Sequence, residues 1–419
     1  MIREAYKIVH ISTYPKGGAG RAAYRIHKAL LKNGMDSHFI CLDEKPGDRY
    51  VSRPSPCEKK TEKISLFNVL KDKIKWRLKR HFNIIIISEK ETITKNFKIL
   101  FPKLNCEIAK LPFSDYDLLA DHFVQNADII HLHWVANLLD YPSFFKNVNK
   151  PVVWTLHDMN PFQGMFHYKE DEEKNNAVAS SLDKKVKTIK RKSIRNINVK
   201  LSIVTPSHWL LDAAVRSKVF KNVKGYHIPY PLDMEIFSPV PNGSFRDALN
   251  IPKDHIIFLF VAQSTGNHRK GFDLLLEALK KINQENISLL VIGNSDNWQV
   301  NGLNVILLGS IEDERTLSKY YSMADAFILP SLEDNLPNVM LEAMACGTPV
   351  ISFDVGGMSE IIKNGFNGMK AKSMNFMGLA NVLTEFINSK ENYNRERIRN
   401  YALENFSEKI IAEKYKVVY

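Results

Sequence analysis

The chain has 419 residues, 44% of them hydrophobic and 10% aromatic, enough apolar material for two or three packed domains and too much for a disordered, collagen-like or disulfide-framework protein. Lys and Arg number 58 against 46 Asp and Glu, a formal charge of +12, so an acidic partner such as phosphate, nucleic acid or a membrane surface has to be considered. The excess sits in one half: residues 1–200 carry 36 basic and 22 acidic side chains, residues 201–419 carry 22 and 24. Cys41, Cys57, Cys106 and Cys346 are far apart and make neither a disulfide framework nor a zinc-ligand spacing, which fits a reducing cytoplasm. The N-terminus lacks the regions of a secretory signal, and no apolar run reaches the roughly 20 residues that cross a bilayer. A cytoplasmic protein with at most peripheral membrane contact is expected.

In chain order, β-branched runs alternate with helical patterns. Lys7–Thr13, a helix near Ala19–Asn33 and Ser37–Leu42 have the grammar of a βαβ unit. Further strand-like runs are Asp128–Trp134, Val152–His157 and Leu201–Pro206, and a second series comprises His255–Ala262, Leu289–Gly293, Val305–Gly309, Ala326–Pro330 and Pro349–Phe353, with helical stretches at Phe272–Ile282 and Leu317–Ala324. Two parallel α/β sheets account for this more simply than one. The prolines of Ile228–Asp233 and Ser238–Pro241 mark a hinge between them. Lys184–Lys200, dense in lysine, reads as a solvated helix or loop.

Several strings carry chemistry. Lys16-Gly-Gly-Ala-Gly20-Arg21 follows the first strand and opens a helix, where glycine and unpaired N–H groups suit a phosphate. Its Gly18-Ala-Gly20-Arg-Ala-Ala23 also spells a dinucleotide fingerprint, with Asp43-Glu44 where a ribose acid would stand. A NAD(P)-dependent oxidoreductase is therefore one alternative. In Pro330 to Ile351, Pro337 can start a helix that Gly347 ends, and Glu342 lies among Val339, Met340, Leu341, Ala343 and Met344. A carboxylate there either turns outward or meets a donor such as a sugar hydroxyl. The strand end Val153-Trp-Thr-Leu-His157-Asp158 delivers His157 and Asp158 to the carboxyl edge of a sheet, where α/β proteins bind ligands. His131 and His133 alternate on one side of a strand and read as core or cleft lining, since two ligands do not make a zinc site. Asp115-Tyr-Asp117 reads as a helix cap and turn, and no metal is expected. Leu66, Leu70, Ile74, Leu78 and Phe82 recur every fourth residue among six basic side chains, Lys71, Lys73, Lys75, Arg77, Lys79 and Arg80. That pattern describes either a basic amphipathic helix on an anionic membrane or a helix packed on the first sheet with a charged face. No nucleic-acid module with interleaved stacking aromatics is present.

The string Asp334 to Ile351 resembles the retaining glycosyltransferases of family 4 (group 1 glycosyltransferases), whose motif is Glu, seven residues, Glu, then Ala-Met-Ala-x-Gly-x-Pro-Val. Glu342 is the second Glu. The first position is held by the shorter Asp334, with Glu333 beside it, and either takes the role of holding the donor sugar hydroxyls. The resemblance implies a GT-B fold: α/β, two Rossmann-like domains facing across a cleft, an acceptor domain over residues 1–229, a nucleotide-sugar domain over 230–399, and a helix over 400–419 crossing back. It implies that Glu342 binds the nucleotide ribose, that Lys270 and Arg269 clamp the donor diphosphate although Gln263 stands where the family has Arg, and that His157 contacts the donor sugar with Asp158 near the acceptor. Asp334 and Lys270 join His157 and Asp158 as catalytic candidates. Gly17, Gly18, Asn335, Gly356 and Gly357, the last two preceding Glu360, belong with the donor side. The implied reaction moves a sugar from a nucleoside diphosphate, UDP- or GDP-type, to a glycan hydroxyl with retention and without a cofactor, in bacterial capsule, exopolysaccharide or O-antigen synthesis on a lipid-linked acceptor. A non-catalytic relative that binds a sugar nucleotide is the other alternative, because Asp334 and Gln263 depart from the motif. If residues 66–82 meet a membrane, the protein will sediment with anionic liposomes in a salt-sensitive way that is lost when the six basic residues are neutralised; equal sedimentation before and after would refute it.

Overall fold

A computed structural model describes residues 6–43, 47–54, 88–241, 243–282, 284–294 and 303–419. The basic stretch 66–82 lies outside these. Among the described residues, no helix is long and apolar enough to cross a membrane.

Two all-parallel sheets divide the chain. The first contains β1 (Lys7–Ile11), β2 (Asp36–Ile40), β3 (Val51–Ser52), β4 (Ile129–Leu132), β5 (Val152–Thr155), β6 (Leu201–Thr205) and β7 (Lys224–His227), in the order β3-β2-β1-β4-β5-β6-β7. The second contains β8 (Ile256–Ser264), β9 (Ile287–Asn294), β10 (Asn304–Leu307), β11 (Ala326–Leu329), β12 (Val350–Phe353) and β13 (Gly368–Ala371), in the order β10-β9-β8-β11-β12-β13. This is the expected α/β class. Parallel strands are covered on both faces, so their residues are apolar almost without alternation: β4, β5, β11 and β12 are buried at every position. Sequence reading did not find β3, β7 and β13. The first has two residues, and Lys-Gly-Tyr-His and Gly-Met-Lys-Ala hold no continuous apolar run.

Helix Gly17–Lys32 begins at the glycine loop and presents Ala22, Ile26, Ala29 and Leu30 to the core. The proline-rich stretch after β7 is no loose linker, because Ile228, Tyr230, Leu232 and Phe237 are all buried. Near the C-terminal end, helix Arg395–Phe406 packs on helix Asn338–Ala345 of the second domain. Helix Glu408–Val418 then lies against helix Gly17–Lys32 of the first, and Lys32 Nζ reaches both Asp233, at 2.6 Å, and Glu408, at 2.7 Å.

The lysine-dense stretch is solvated at Lys184, Lys185, Lys192, Arg195 and Lys200 and departs from that reading at Lys190, which lies in helix Asn176–Arg195 and is fully buried. Its Nζ donates to the carbonyl of Asn160 (2.6 Å), to Asn160 Oδ1 (3.0 Å) and to the carbonyl of Gly164 (2.6 Å), three acceptors for the three protons of an ammonium. Burial pushes this amine down to about 7, opposed by Asp183 and Asp158. Lys190 thereby fixes the loop that follows Asp158. A Lys190→Met substitution would strand three buried acceptors and should cost about 3 kcal/mol in urea unfolding; a loss within the scatter of surface substitutions would show that Lys190 does not anchor the loop.

Candidate functional site

Each sheet reverses its strand order once, between β1 and β4 and between β8 and β11. In open parallel sheets such switch points part the loops at the carboxyl ends of the strands and leave a crevice there. The sequence-selected residues collect at these two places. Gly17 and Gly18 follow β1, while His133 and Trp134 follow β4, with His157 and Asp158 after the neighbouring β5. Arg269 and Lys270 follow β8, and Glu333, Asp334 and Asn335 follow β11.

On the second-domain side, Asp334 Oδ2 accepts from Lys270 Nζ at 2.6 Å and from Arg269 Nη1 at 3.3 Å. Burial by itself would raise the Asp334 carboxyl; the two cations outweigh it and hold the group below its ordinary range. Glu333 points elsewhere. Its oxygens accept from the backbone N–H groups of Lys169 (3.0 Å) and Glu170 (3.1 Å), at the start of a short helix in the first domain. Of the two acids left open by the sequence, Asp334 is therefore the one among the cations. The Gly356-Gly357 pair lets this loop approach: a Cβ on Gly356, where φ is +55°, would overlap the Asp334 carbonyl, and one on Gly357 would overlap that of Asn335.

Arg269 is held more tightly than a freely placed phosphate clamp. It pairs bidentately with Glu107 at 2.7 and 3.2 Å, donates to the Glu333 carbonyl at 2.8 Å, and stacks 4.0 Å over the Tyr168 ring. Both Glu107 and Tyr168 come from the first domain. Asn335 also crosses the cleft, donating to the His157 carbonyl at 3.1 Å and accepting from Ser207 Oγ at 2.5 Å. Glu360 accepts from the N–H groups of His208 (2.9 Å) and Trp209 (2.5 Å), capping helix His208–Arg216.

Glu342 does not turn outward. It is wholly buried, and its donors are protein groups: Arg25 Nη2 on Oε1 at 2.8 Å and the Tyr321 hydroxyl on Oε2 at 3.0 Å. Arg25 also pairs with Glu314 at 2.6 Å. Asn338 Nδ2 donates to the Gly18 carbonyl at 2.9 Å, tying the helix that carries Glu342 to the glycine loop. Sequence reasoning missed Arg25, although a signal existed: it shares a helix face with the buried Ala22, Ile26 and Ala29. Glu107 and Tyr168 had no such signal, being loop residues brought in by tertiary structure.

On the first-domain side, Asp158 Oδ2 accepts from Trp134 Nε1 at 3.0 Å and lies 2.7 Å from His167 Nδ1. Burial raises this carboxyl, but His167 and the Asn160 N–H pull it below its ordinary value. His157 is buried with both nitrogens engaged, Nε2 3.2 Å from His133 Nδ1 and Nδ1 2.8 Å from the Tyr230 hydroxyl. A small cavity lies between His133, Trp134, His157, Asp158 and His167. His131 and His133 do face one way, as their spacing requires, and β1 adds His10 in register with His131. The nitrogens of these three rings lie within 4.8 Å of one another, close enough to consider a metal. Protein groups already occupy most of them: His10 Nδ1 pairs with His133 Nε2 at 2.8 Å, and His131 pairs with Tyr419 at 2.6 Å and Thr155 at 2.8 Å. Asp115, exposed, meets Lys90 at 3.2 Å, and Asp117 precedes a one-turn 3-10 helix, Leu118–Ala120.

Residues 242–405 match the family described as glycosyl transferases group 1. An uncharacterised glycosyltransferase of Methanocaldococcus jannaschii is 35% identical over 136 residues, 30% of this chain and 34% of that protein. The matches to the first four curated relatives span 34% to 63% of those proteins. A Klebsiella pneumoniae protein from a cps region is 24% identical over 428 residues, 98% of this chain and 99% of its own. Among solved structures, sucrose-phosphate synthase of Thermosynechococcus elongatus superposes with a TM-score of 0.67 at 18% identity, covering 99% and 98% of the two chains. Anabaena HepE in complex with UDP-glucose gives 0.61 at 14%, covering 99% of each. The fold is GT-B, two Rossmann-like domains across a cleft. The match to the group 1 glycosyltransferases is carried by the second domain, residues 242–405, and these similarities favour a glycosyltransferase over the nicotinamide alternative.

Burial also fixes an acid limit on the fold. It lowers His157 to about 4 and His27 to about 3, and His10, His131 and His133 well below their ordinary value. Below about pH 6.5 the unfolded chain takes up protons that the native state refuses, so stability falls with pH toward the native values. His157 alone accounts for about 3 kcal/mol by pH 4. Urea unfolding should therefore lose stability steeply between about pH 6.5 and 4; a flat profile there would contradict neutral buried imidazoles.

Proposed function

We propose that the protein transfers a sugar from a nucleoside-diphosphate donor, UDP- or GDP-type, to a hydroxyl of a glycan acceptor with retention of configuration. The observation that carries this reading is the cluster at the β8/β11 switch point, where Lys270 and Arg269 converge on Asp334 opposite His157 and Asp158. A diphosphate gains negative charge as the glycosidic bond breaks, and placed cations stabilise that charge more in the transition state than in the ground state. Lys270 would transfer its hydrogen bond from Asp334 to the diphosphate, freeing Asp334 to accept from donor sugar hydroxyls. Glu342 would hold the ribose through acceptor sites left beside those of Arg25 and Tyr321, which requires its buried side chain to become accessible. The departing phosphate oxygen takes the proton of the acceptor hydroxyl on the same face, so the protein supplies orientation and electrostatic stabilisation without a covalent nucleophile and without a required metal.

The UDP-sugar complex of Anabaena HepE supports the donor class, and the cps-region relative supports a role in bacterial surface polysaccharide. The positive first half, with residues 66–82, suits a lipid-linked acceptor at the cytoplasmic face of a membrane. A thermal-shift screen with UDP-, GDP-, ADP- and TDP-sugars identifies the donor, since a native-state ligand raises apparent stability. Lys270→Ala and Asp334→Asn should each weaken binding of that donor at least tenfold in calorimetry, or about 1.4 kcal/mol. Undiminished binding in both variants would remove the cluster from the donor site. Turnover that survives chelation is the expected sign of metal independence.

A further inference from the structure

The face of the first sheet that ends at His157 is lined with imidazoles joined in a row. Tyr230 Oη lies 2.8 Å from His157 Nδ1, His157 Nε2 lies 3.2 Å from His133 Nδ1, and His133 Nε2 lies 2.8 Å from His10 Nδ1. The row stops at His10 Nε2, which is buried and has no partner. The His27 ring, tilted 65° to the His10 ring with centroids 5.7 Å apart, has its own Nε2 unpaired. All of these rings are buried, and burial keeps them neutral.

We infer that His10, His133 and His157 form one hydrogen-bonded relay with a single shared tautomeric state, and that His10 and His133 are positioning residues which fix the ring of His157 from inside the sheet. A neutral imidazole donates through one nitrogen and accepts through the other, so the three rings cannot choose independently: all carry the proton on Nε2, or all on Nδ1. The two states differ at their ends. With Nε2–H throughout, the Tyr230 hydroxyl donates to His157, and the one unmatched donor is the His10 N–H. With Nδ1–H throughout, the Tyr230 O–H loses its acceptor and the His10 Nε2 lone pair is also unmatched. Unmatched buried groups are costly, so the relay settles with all three protons on Nε2. Neither ring nitrogen of His157 is then free to act as an acid or base. Its place in the reaction comes from the strand end it holds, whose carbonyl meets Asn335 across the cleft.

This inference rests on the proposed sugar transfer only for its kinetic arm. The structural arm needs no donor. In protein labelled with 15N-histidine, all three rings should show a protonated Nε2 and a bare Nδ1, with couplings across the His157–His133 and His133–His10 hydrogen bonds. The His10→Phe variant, confirmed as folded by its unfolding transition, removes the acceptor of His133. It should move His157, two rings away, to a mixed or Nδ1–H state, and His10→Asn, which restores an acceptor, should return it. With the donor identified, His10→Phe should lower kcat about tenfold with donor KM within about twofold, and His10→Asn should recover most of it. Mixed tautomers or absent couplings in the native protein would overturn the relay without need of any variant. So would an unchanged His157 in folded His10→Phe, or stoichiometric zinc on His10, His131 and His133 in the purified protein. A confirmed relay with no loss of kcat would leave the couplings standing and remove His157 from the transfer step.

Discussion

Arg25 and Glu342 form the contact that the closed arrangement of the two domains depends on. A carboxylate with no solvent exposure, set among methionine and alanine, is unstable unless charge and hydrogen bonds are supplied. Both come from fixed directions: a guanidinium reaching over from helix Gly17–Lys32, and the Tyr321 hydroxyl from within the second domain. The pair ties the helix that opens at the glycine loop to the helix that carries Glu342, a link doubled by Asn338 on the Gly18 carbonyl. The other crossings follow the same logic on a smaller scale. Glu333 and Glu360 each cap the start of a first-domain helix, where unpaired N–H groups favour a carboxylate, and Asn335 bridges between Ser207 and the His157 carbonyl.

These ties use groups that the proposed reaction also requires. Asp334, Lys270 and Glu342 are held by protein partners in the present arrangement, so a donor has to exchange one set of hydrogen bonds for another rather than enter a vacant site. That exchange makes the charge balance of the cleft local. The second half of the chain is almost neutral overall, yet it sets Arg269 and Lys270 against Asp334, with Glu107 of the first domain pairing Arg269 as well. The surplus positive charge lies in the first half.

Much of the fold could be read from residues alone, because parallel strands buried on both faces announce themselves as short apolar runs, and the division into two sheets followed from their spacing. β7 and β13 were invisible, since edge or near-edge strands built from Lys-Gly-Tyr-His or Gly-Met-Lys-Ala show no such run. The acidic string around Glu342 and the Arg269-Lys270 pair were legible because they are contiguous motifs. Their partners were not. Glu107, Tyr168 and Ser207 owe their places to the approach of a second domain, and His10 became part of a histidine row only when β1 paired with β4. Lys190 shows the converse error: a lysine-rich helix looks solvated in sequence, and periodicity alone did not reveal the one ammonium that faces three carbonyls.

The helix Glu408–Val418 closes the histidine face of the first sheet, its Tyr415 pairing with Thr155 and Tyr419 with His131. The whole second sheet is made between β7 and this helix. During synthesis the first sheet must therefore wait, with its imidazole-lined face uncovered, until the second domain has been produced. Its last polar partners are supplied by contacts of very long sequence separation, which are slow to form. The two domains thus differ despite their similar architecture: each draws its strands from one continuous stretch, but the first is completed by a helix that is synthesised only after every strand of the second.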